Sequence, residues 1–312
     1  MATQNLIESH EVEALWTEIW HLENDSDRYK GASQETKDSL LILYRDLLDY
    51  KRDLPPADNH EEISERLATV SPDGEDGIWS PHRFPRRDDE PLMWIPWAED
   101  APSGAKRGEY RYQHPEGLVL HWTAGRRNGL KRGNDLMRST GMLYLLGDKD
   151  GNLSQSDPLN KWGYHAGKSS LLRIPGSVSN ELIGLELQAA GMLTKKGSSF
   201  YSWFGAEIDP REVATVSADR ENIKKGHYHV FTDAQCELAR AVCVWLYLNN
   251  PEVFKIANIV GHDEVSPVRK TDPGGAIAFG MSMNAFRECV RLDVQNIEKL
   301  QRETRYRIID PR

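Results

Sequence analysis

Long hydrophobic runs are missing from this 312-residue chain. No stretch approaches the roughly 18 consecutive apolar residues of a membrane-spanning helix, so membrane insertion is not expected. The start is equally poor in targeting features. Met1 to Trp16 carries Glu8, Glu11 and Glu13 and lacks a basic stretch followed by an apolar one, so no secretory signal is read and synthesis in the cytoplasm is expected. Cysteine is scarce: Cys236 and Cys243 stand seven apart on one expected helix, a rise of roughly 10 Å, and Cys289 stands on another. A disulfide framework is excluded, and buried free thiols are expected. An excess of positive charge is absent too. Residues 1–90 hold 22 acidic against 10 basic side chains, net −12, and the other 222 residues hold 26 against 29, net +3. Nucleic acid is therefore a poor partner, whereas an anionic polymer meets the second part more easily than the first.

What is present divides the chain. From about Ser9 to Tyr50, Leu15, Trp16, Ile19, Trp20, Leu40, Leu41, Tyr44, Leu47 and Leu48 recur at helical spacing, and Pro55-Pro56 stops the pattern before a short helix over 61–68. Residues 1–70 read as an acidic, mainly helical N-terminal region. Residues 71–107, rich in Pro, Asp, Arg and Trp, read as a linker or wrapping segment, with Trp79, Trp94 and Trp97 arguing that part of it packs. From 108 to 312 the pattern changes. Gly117–Trp122, Leu182–Leu187 and Ile256–Val260 have strand character, and Met142–Gln155 reads as a hairpin around an Asp/Gly turn. Thr232 or Asp233 can cap a helix running to about Asn249, and Ser282–Gln301 supplies another. This alternation predicts an α/β domain, a mixed central sheet flanked by helices.

Chemistry concentrates in Gly261–Gly275, where His262, Lys270 and Asp272 fall on a loop that Pro267, Pro273 and the glycines keep from being a long helix. Read alone, each residue has an ordinary alternative: a solvated lysine, a turn aspartate, a packed histidine. His121, at the end of an apolar strand, would complete a set of two nitrogens and one oxygen, the kind that leaves the fourth position of a tetrahedral zinc open. Glu186 stands inside an apolar strand, where a carboxylate is costly unless it is paired or functional, and facing the metal it could take a proton from water.

Five motifs occur in order: His-x-Thr-Ala at 121–124, Tyr-His-Ala-Gly at 164–167, Ile-Gly-Leu-Glu-Leu at 183–187, Phe-Thr-Asp-Ala-Gln at 231–235, and Gly261-His262 leading to Arg269-Lys270-Thr271-Asp272-Pro273-Gly274. Over about residues 108–300 the chain resembles the type 2 N-acetylmuramoyl-L-alanine amidases, a group with recycling amidases, phage lysis amidases and peptidoglycan recognition proteins. The resemblance implies one zinc ion on His121, His262 and Asp272, Glu186 as general base and Lys270 as oxyanion stabiliser. It places His165 and Trp122 at the substrate groove. The implied reaction is hydrolysis of the amide joining the lactyl group of N-acetylmuramic acid to L-alanine in peptidoglycan or muropeptides.

About 45 residues, Ala189 to Asp233, exceed what a compact member needs. Lys195 to Tyr201 and Trp203 within them read as a lid, a glycan-contacting loop or a solvated insertion. His227 and His229 without nearby carboxylates are weak evidence for a second metal. Three functions remain open: an active amidase, a non-catalytic peptidoglycan-recognition module, and a zinc hydrolase cutting elsewhere in the stem peptide. Asp272, Lys270 and Glu186 favour the enzyme. Recycling in the cytoplasm, release during lysis and injection into a rival cell are the settings considered. The acidic N-terminal region favours a delivered lytic enzyme or antibacterial effector acting at the cell wall, with delivery machinery and an immunity protein as partners.

Overall fold

Apolar residues on both faces of Gly117–Trp122 and Leu182–Leu187 suit strands buried on both sides, which is how parallel strands occur. The computed structural model describes residues 78–309, apart from 87–88, 103–107, 141–144 and 172–176, together with a few positions between 30 and 40. Apart from those few positions, the helix expected over 9–50 lies outside the described residues, as does all of that over 61–68. The strands are β1 (Glu99–Asp100), β2 (Gly108–Glu109), β3 (Gly117–Trp122), β4 (Leu145–Gly147), β5 (Leu153–Gln155), β6 (Lys161–Trp162), β7 (Leu182–Leu187), β8 (Met192–Lys196), β9 (Ser199–Tyr201), β10 (Glu207–Ile208), β11 (Val213–Val216), β12 (Gly226–His229) and β13 (Ile259–Gly261). The helices are α1 (Gly129–Thr140), α2 (Asp233–Asn249), α3 (His262–Val265) and α4 (Met283–Ile309).

The main sheet runs β1-β5-β4-β7-β3-β13. β3 pairs parallel with both β7 and β13, while β4 and β5 form the antiparallel hairpin, so the sheet is mixed and the domain is α/β as expected. Alternation along the strands assigns its two faces. Leu118, Leu120, Ile183, Leu185, Leu187 and Ile259 join Leu238, Val242 and Trp245 of α2 and Phe286, Val290 and Val294 of α4 in the large core. Val119, Leu182 and Val260 face the other way, against Ala166, Val178 and Val265. His121 and Glu186 belong to this second face.

α2 begins where the sequence indicates. The Thr232 hydroxyl accepts from the Gln235 N–H, and the Gln235 side chain accepts from the Thr232 N–H, a reciprocal cap. The last strand is shorter than the expected 256–260: Ile256–Asn258 form a 3-10 turn, closed by the Asn258 N–H donating to the Lys255 carbonyl, and β13 starts at Ile259. Trp79, Phe84 and Ile95 of the wrapping segment enter the large core, and Trp97 packs edge-on against Trp245, while Trp94 stays at the surface. Residues 189–233 form more than an insertion loop. They carry a second sheet, β10-β9-β8-β12-β11, which the sequence reading did not anticipate. Cys236, Cys243 and Cys289 are free thiols. Among the described residues no helix is long and apolar enough to cross a membrane.

One buried pair ties α4 to the site-bearing face. Arg287 donates to both Glu264 oxygens at 3.0 and 3.1 Å and to the Ile259 carbonyl at 2.8 Å. Glu264 in turn accepts from the Gly261 N–H at 2.9 Å and so caps α3. Removing the cation strands a buried carboxylate, so Arg287→Ala is expected to cost about 3–5 kcal/mol. A urea unfolding midpoint equal to that of the unaltered protein would contradict this role.

Candidate metal centre and active site

The parallel register brings the chemistry together. His121 is the direct register partner of Glu186, so neighbouring strands present an imidazole and a carboxylate side by side. On the other side of β3, Gly261 pairs with Leu120, which delivers His262, the first residue of α3, next to His121. Their ring centroids are 4.4 Å apart. Asp272 returns on the following loop, held by its carbonyl accepting from the Asp263 N–H at 2.7 Å. The Asp263 carboxylate fixes the same loop by accepting from the Gly274 N–H at 3.0 Å. Gly274 has φ +49°, and a Cβ there would lie 2.5 Å from the Tyr228 ring, so this turn requires glycine.

His121 Nδ1 lies 2.9 Å and His262 Nδ1 3.0 Å from Asp272 Oδ2. All three residues are buried, and their ligand atoms lie within 4.8 Å of one another. The outer ring nitrogens decide what these atoms are. His165 Nε2 faces the Leu182 carbonyl at 2.9 Å, and a carbonyl only accepts, so that nitrogen carries the proton. In the neutral ring His165 Nδ1 is then an acceptor, and His121 Nε2, 3.0 Å away, must donate to it. The inner Nδ1 of His121 is left with a lone pair. His262 Nε2 faces the Ala166 carbonyl at 2.9 Å, so that nitrogen donates, and Nδ1 is the ring atom turned inward.

Burial keeps these rings neutral where a shift is resolved. It lowers His121 to about 4, the Asp272 hydrogen bond opposing it and the neighbouring His262 adding to it. It lowers His165 to about 3, with His121 adding to the effect. Burial raises Asp272, but the hydrogen bonds it accepts from the two imidazoles when their protons sit on Nδ1 outweigh that and hold it below the ordinary carboxylate range. Two arrangements satisfy that carboxylate. Ring protons can move to Nδ1, which strips the hydrogen bonds from His165 and the Ala166 carbonyl. A cation shared by all three atoms keeps every outer bond. Two imidazole nitrogens and one carboxylate oxygen are a fitting donor set for zinc, and the residues present fit the ion.

Glu186 lies on the same face, buried, with Oε2 lacking any hydrogen-bond partner in the structure. Burial raises its pKa well above the usual value, the Asp272 charge raises it further, and the Lys270 cation opposes both. Lys270 is partly buried, and its charge also acts on His121. Of the residues expected at the site, His121, His262, Asp272, Glu186 and Lys270 are brought together. His165 stands behind His121 as its hydrogen-bond partner. Trp122 is not brought in: it follows His121 on the strand, faces the opposite side, and packs against Tyr228 at 6.0 Å between ring centroids. Among the described residues no second group of three metal-binding side chains forms, and His227 and His229 sit on β12.

Several contributors escaped sequence reasoning because they act through backbone atoms. Arg269 donates to the Ala166 and Lys168 carbonyls at 2.7 and 3.0 Å, and the Ser179 hydroxyl accepts from the His165 and Ala166 N–H groups. Gly184 leaves room for His165, since a Cβ there would lie 2.8 Å from the ring. The signals that pointed to any of them were the positions of Arg269, Gly184 and Ala166 inside the ordered motifs.

The His165 contact makes a prediction. His165→Phe keeps a ring in place but removes the acceptor that fixes the His121 tautomer. Loss of such an outer partner typically weakens metal affinity about 10–100-fold. Competition with a chromogenic chelator measures it, and an unchanged zinc affinity would refute the assignment.

A family model described as N-acetylmuramoyl-L-alanine amidase matches residues 111–275. No curated protein sequence matches the chain. Among solved structures, the AmpD solution structure from Citrobacter freundii is similar at 21% identity, covering 58% of this chain and 86% of that one, with a TM-score of 0.34. The endolysin amidase LysCS from Clostridium intestinale is similar at 14% identity, with 65% and 98% covered and a TM-score of 0.36. The hydrolase AmiA from Staphylococcus aureus, in complex with its ligand, is similar at 13% identity, with 63% and 82% covered and a TM-score of 0.40.

Proposed function

The chain belongs to the N-acetylmuramoyl-L-alanine amidase family, and from that premise we propose that it is a zinc-dependent amidase of peptidoglycan. The bond cleaved is the amide between the lactyl carbonyl of N-acetylmuramic acid and the nitrogen of L-alanine. The observation that carries this reading is the convergence of three acceptor atoms, from His121, His262 and Asp272, beside a buried carboxylate with an unused oxygen. His121, His262 and Asp272 would hold the ion, which when bound supplies Lewis-acid polarisation of the carbonyl and makes water more acidic.

The protein's own groups do the rest. Glu186 takes a proton from the attacking water and passes it to the departing amine, so water oxygen ends on the lactyl carbonyl carbon and the stem peptide leaves with a free amino terminus. The Lys270 cation offsets the negative charge that develops on the amide oxygen. Burial of Glu186 among apolar strand residues keeps bulk water from competing for that proton. The base must be ionised to act, and its pKa is raised. The rate is therefore expected to fall with falling pH along a limb above the ordinary glutamate range, and Glu186→Gln removes that limb with the activity.

Glu186→Gln is expected to lower kcat by about 10²–10⁴ and to leave zinc affinity within a few-fold. Lys270→Ala is expected to lower kcat by about 10²–10³. Excess chelator abolishes hydrolysis of a defined muropeptide and zinc restores it. Mass spectrometry of the products must show an intact stem peptide beginning with alanine; cleavage inside the stem, or turnover that survives chelation, would refute the proposal.

We place this activity at the cell wall, as a lytic enzyme or delivered effector whose cleft a cognate immunity protein would cover. Support comes from the acidic region at 1–90, which lies outside the family match. Expression with an added export signal is expected to lyse bacteria, and expression without it to be harmless. Harmlessness in both forms would favour recycling.

A further inference from the structure

Among the described residues, the three most exposed large apolar side chains are Trp203 at 74%, Val268 at 71% and Tyr164 at 56% exposure; the next, Tyr112, is at 48%. Val268 alone shares a loop with metal-cluster residues; the other two are tied to that region by hydrogen bonds. Tyr164 precedes His165, which bonds His121. Val268 lies on the loop between His262 and Asp272. Trp203 lies in the turn between β9 and β10 of the second sheet, and its indole Nε1–H donates to the carbonyl of Ala124 at 2.6 Å. Ala124 is three residues beyond His121, at most roughly 11 Å along the chain. It is held there by β3–β7 pairing that continues past the strand end, with the Thr123 N–H donating to the Leu187 carbonyl and the Gly125 N–H to the Ala189 carbonyl. Its φ of +50° is unusual for a residue with a Cβ.

A large aromatic side chain left open to solvent beside functional residues marks a candidate binding surface. The turn bearing Trp203 narrows what binds. Phe200, Tyr201, Trp203 and Phe204 follow one another closely after β8. Lys195 lies 5.5 Å over Phe200, Lys196 5.5 Å over Tyr201, and Arg126 5.0 Å over Phe204. Three of the four rings are thus capped by cations, whereas Trp203 touches Phe204 by its edge and is otherwise open to solvent. A single open indole, tethered through its N–H, is too small a surface for a stable protein interface and suits one flat ring. A pyranose presents such a face: its axial C–H groups stack on the aromatic surface while its hydroxyls stay in water.

We propose that Trp203 is a saccharide-stacking subsite that seats a sugar of the glycan strand next to the muramoyl unit whose amide lies at the metal centre. It makes the second sheet a glycan-binding wing of the active site. The inference rests on the amidase reading for its ligand, but it can fail separately.

Glycan strands freed of stem peptides are titrated into the zinc-loaded full chain and into Trp203→Ala and Trp203→Phe. One aromatic stacking contact is typically worth about tenfold or more in affinity. Binding is expected to weaken about tenfold in Trp203→Ala and less in Trp203→Phe, which keeps a ring and loses the tether. The ratio of kcat/KM on polymeric peptidoglycan to that on a single-sugar muropeptide is expected to fall about tenfold in Trp203→Ala. Equal glycan binding by the unaltered protein and Trp203→Ala, with both variants showing unchanged thermal unfolding, would overturn the subsite whatever the hydrolysis assay gives. Absence of hydrolysis by the unaltered holoenzyme, with Trp203-dependent glycan binding retained, would refute the amidase reading and leave the subsite standing.

Discussion

Parallel pairing of β3 with β7 on one side and β13 on the other is the constraint on which the site depends. Its register sets His121 beside Glu186 and carries His262 to the same edge of the sheet. The side-chain period of a strand is two, so a slip of one residue between β3 and β7 would turn Glu186 into the large core and bring Leu185 or Leu187 to the metal face. The register is enforced from both faces. Leu118, Leu120, Leu185 and Leu187 bury against α2 and α4, and Val119, Leu182 and Val260 bury under the segment that carries His165. Catalytic geometry and hydrophobic packing are therefore set by one pattern of alternation.

On that frame the protons are arranged from outside inward. The Leu182 carbonyl, belonging to the same strand as Glu186, orients His165; His165 orients His121; the Ala166 carbonyl orients His262. Gly184 makes the first step possible by leaving space for the imidazole against the sheet. The outcome is two inward Nδ1 atoms and a carboxylate oxygen at one point, a donor set that suits a divalent cation. Arg269 and Asp263 keep the loops that close the point from separating. The 261–275 loop is thus half of a device whose other half is the end of β3 and its backing histidine.

Much of this was legible in the sequence. The apolar runs of β3 and β7, the Thr232 cap of α2 and the 261–275 motif each have a local signature, so the α/β class and the residues His121, Glu186, His262, Lys270 and Asp272 could be named from them. Other features have no local signature. His165 acts through a backbone carbonyl of Leu182 and a ring 44 positions away, neither of which a pattern of residue types displays. β8 to β12 are short strands, five residues at most, too short for an alternation that names a strand, and the segment reads equally as a lid, a glycan-contacting loop or a solvated insertion. Trp122, next to His121 on a strand, faces the other way, as strand alternation alone requires.

The proposed chemistry depends on a cation held by two imidazoles and one carboxylate. The X-ray absorption spectrum of zinc in the reconstituted full chain tests that most directly. It predicts one zinc per chain with two imidazole nitrogens at about 2.0–2.1 Å and the remaining neighbours oxygen. A sulfur shell at about 2.3 Å, or a spectrum unchanged in the His121→Ala, His262→Ala double variant, would contradict it.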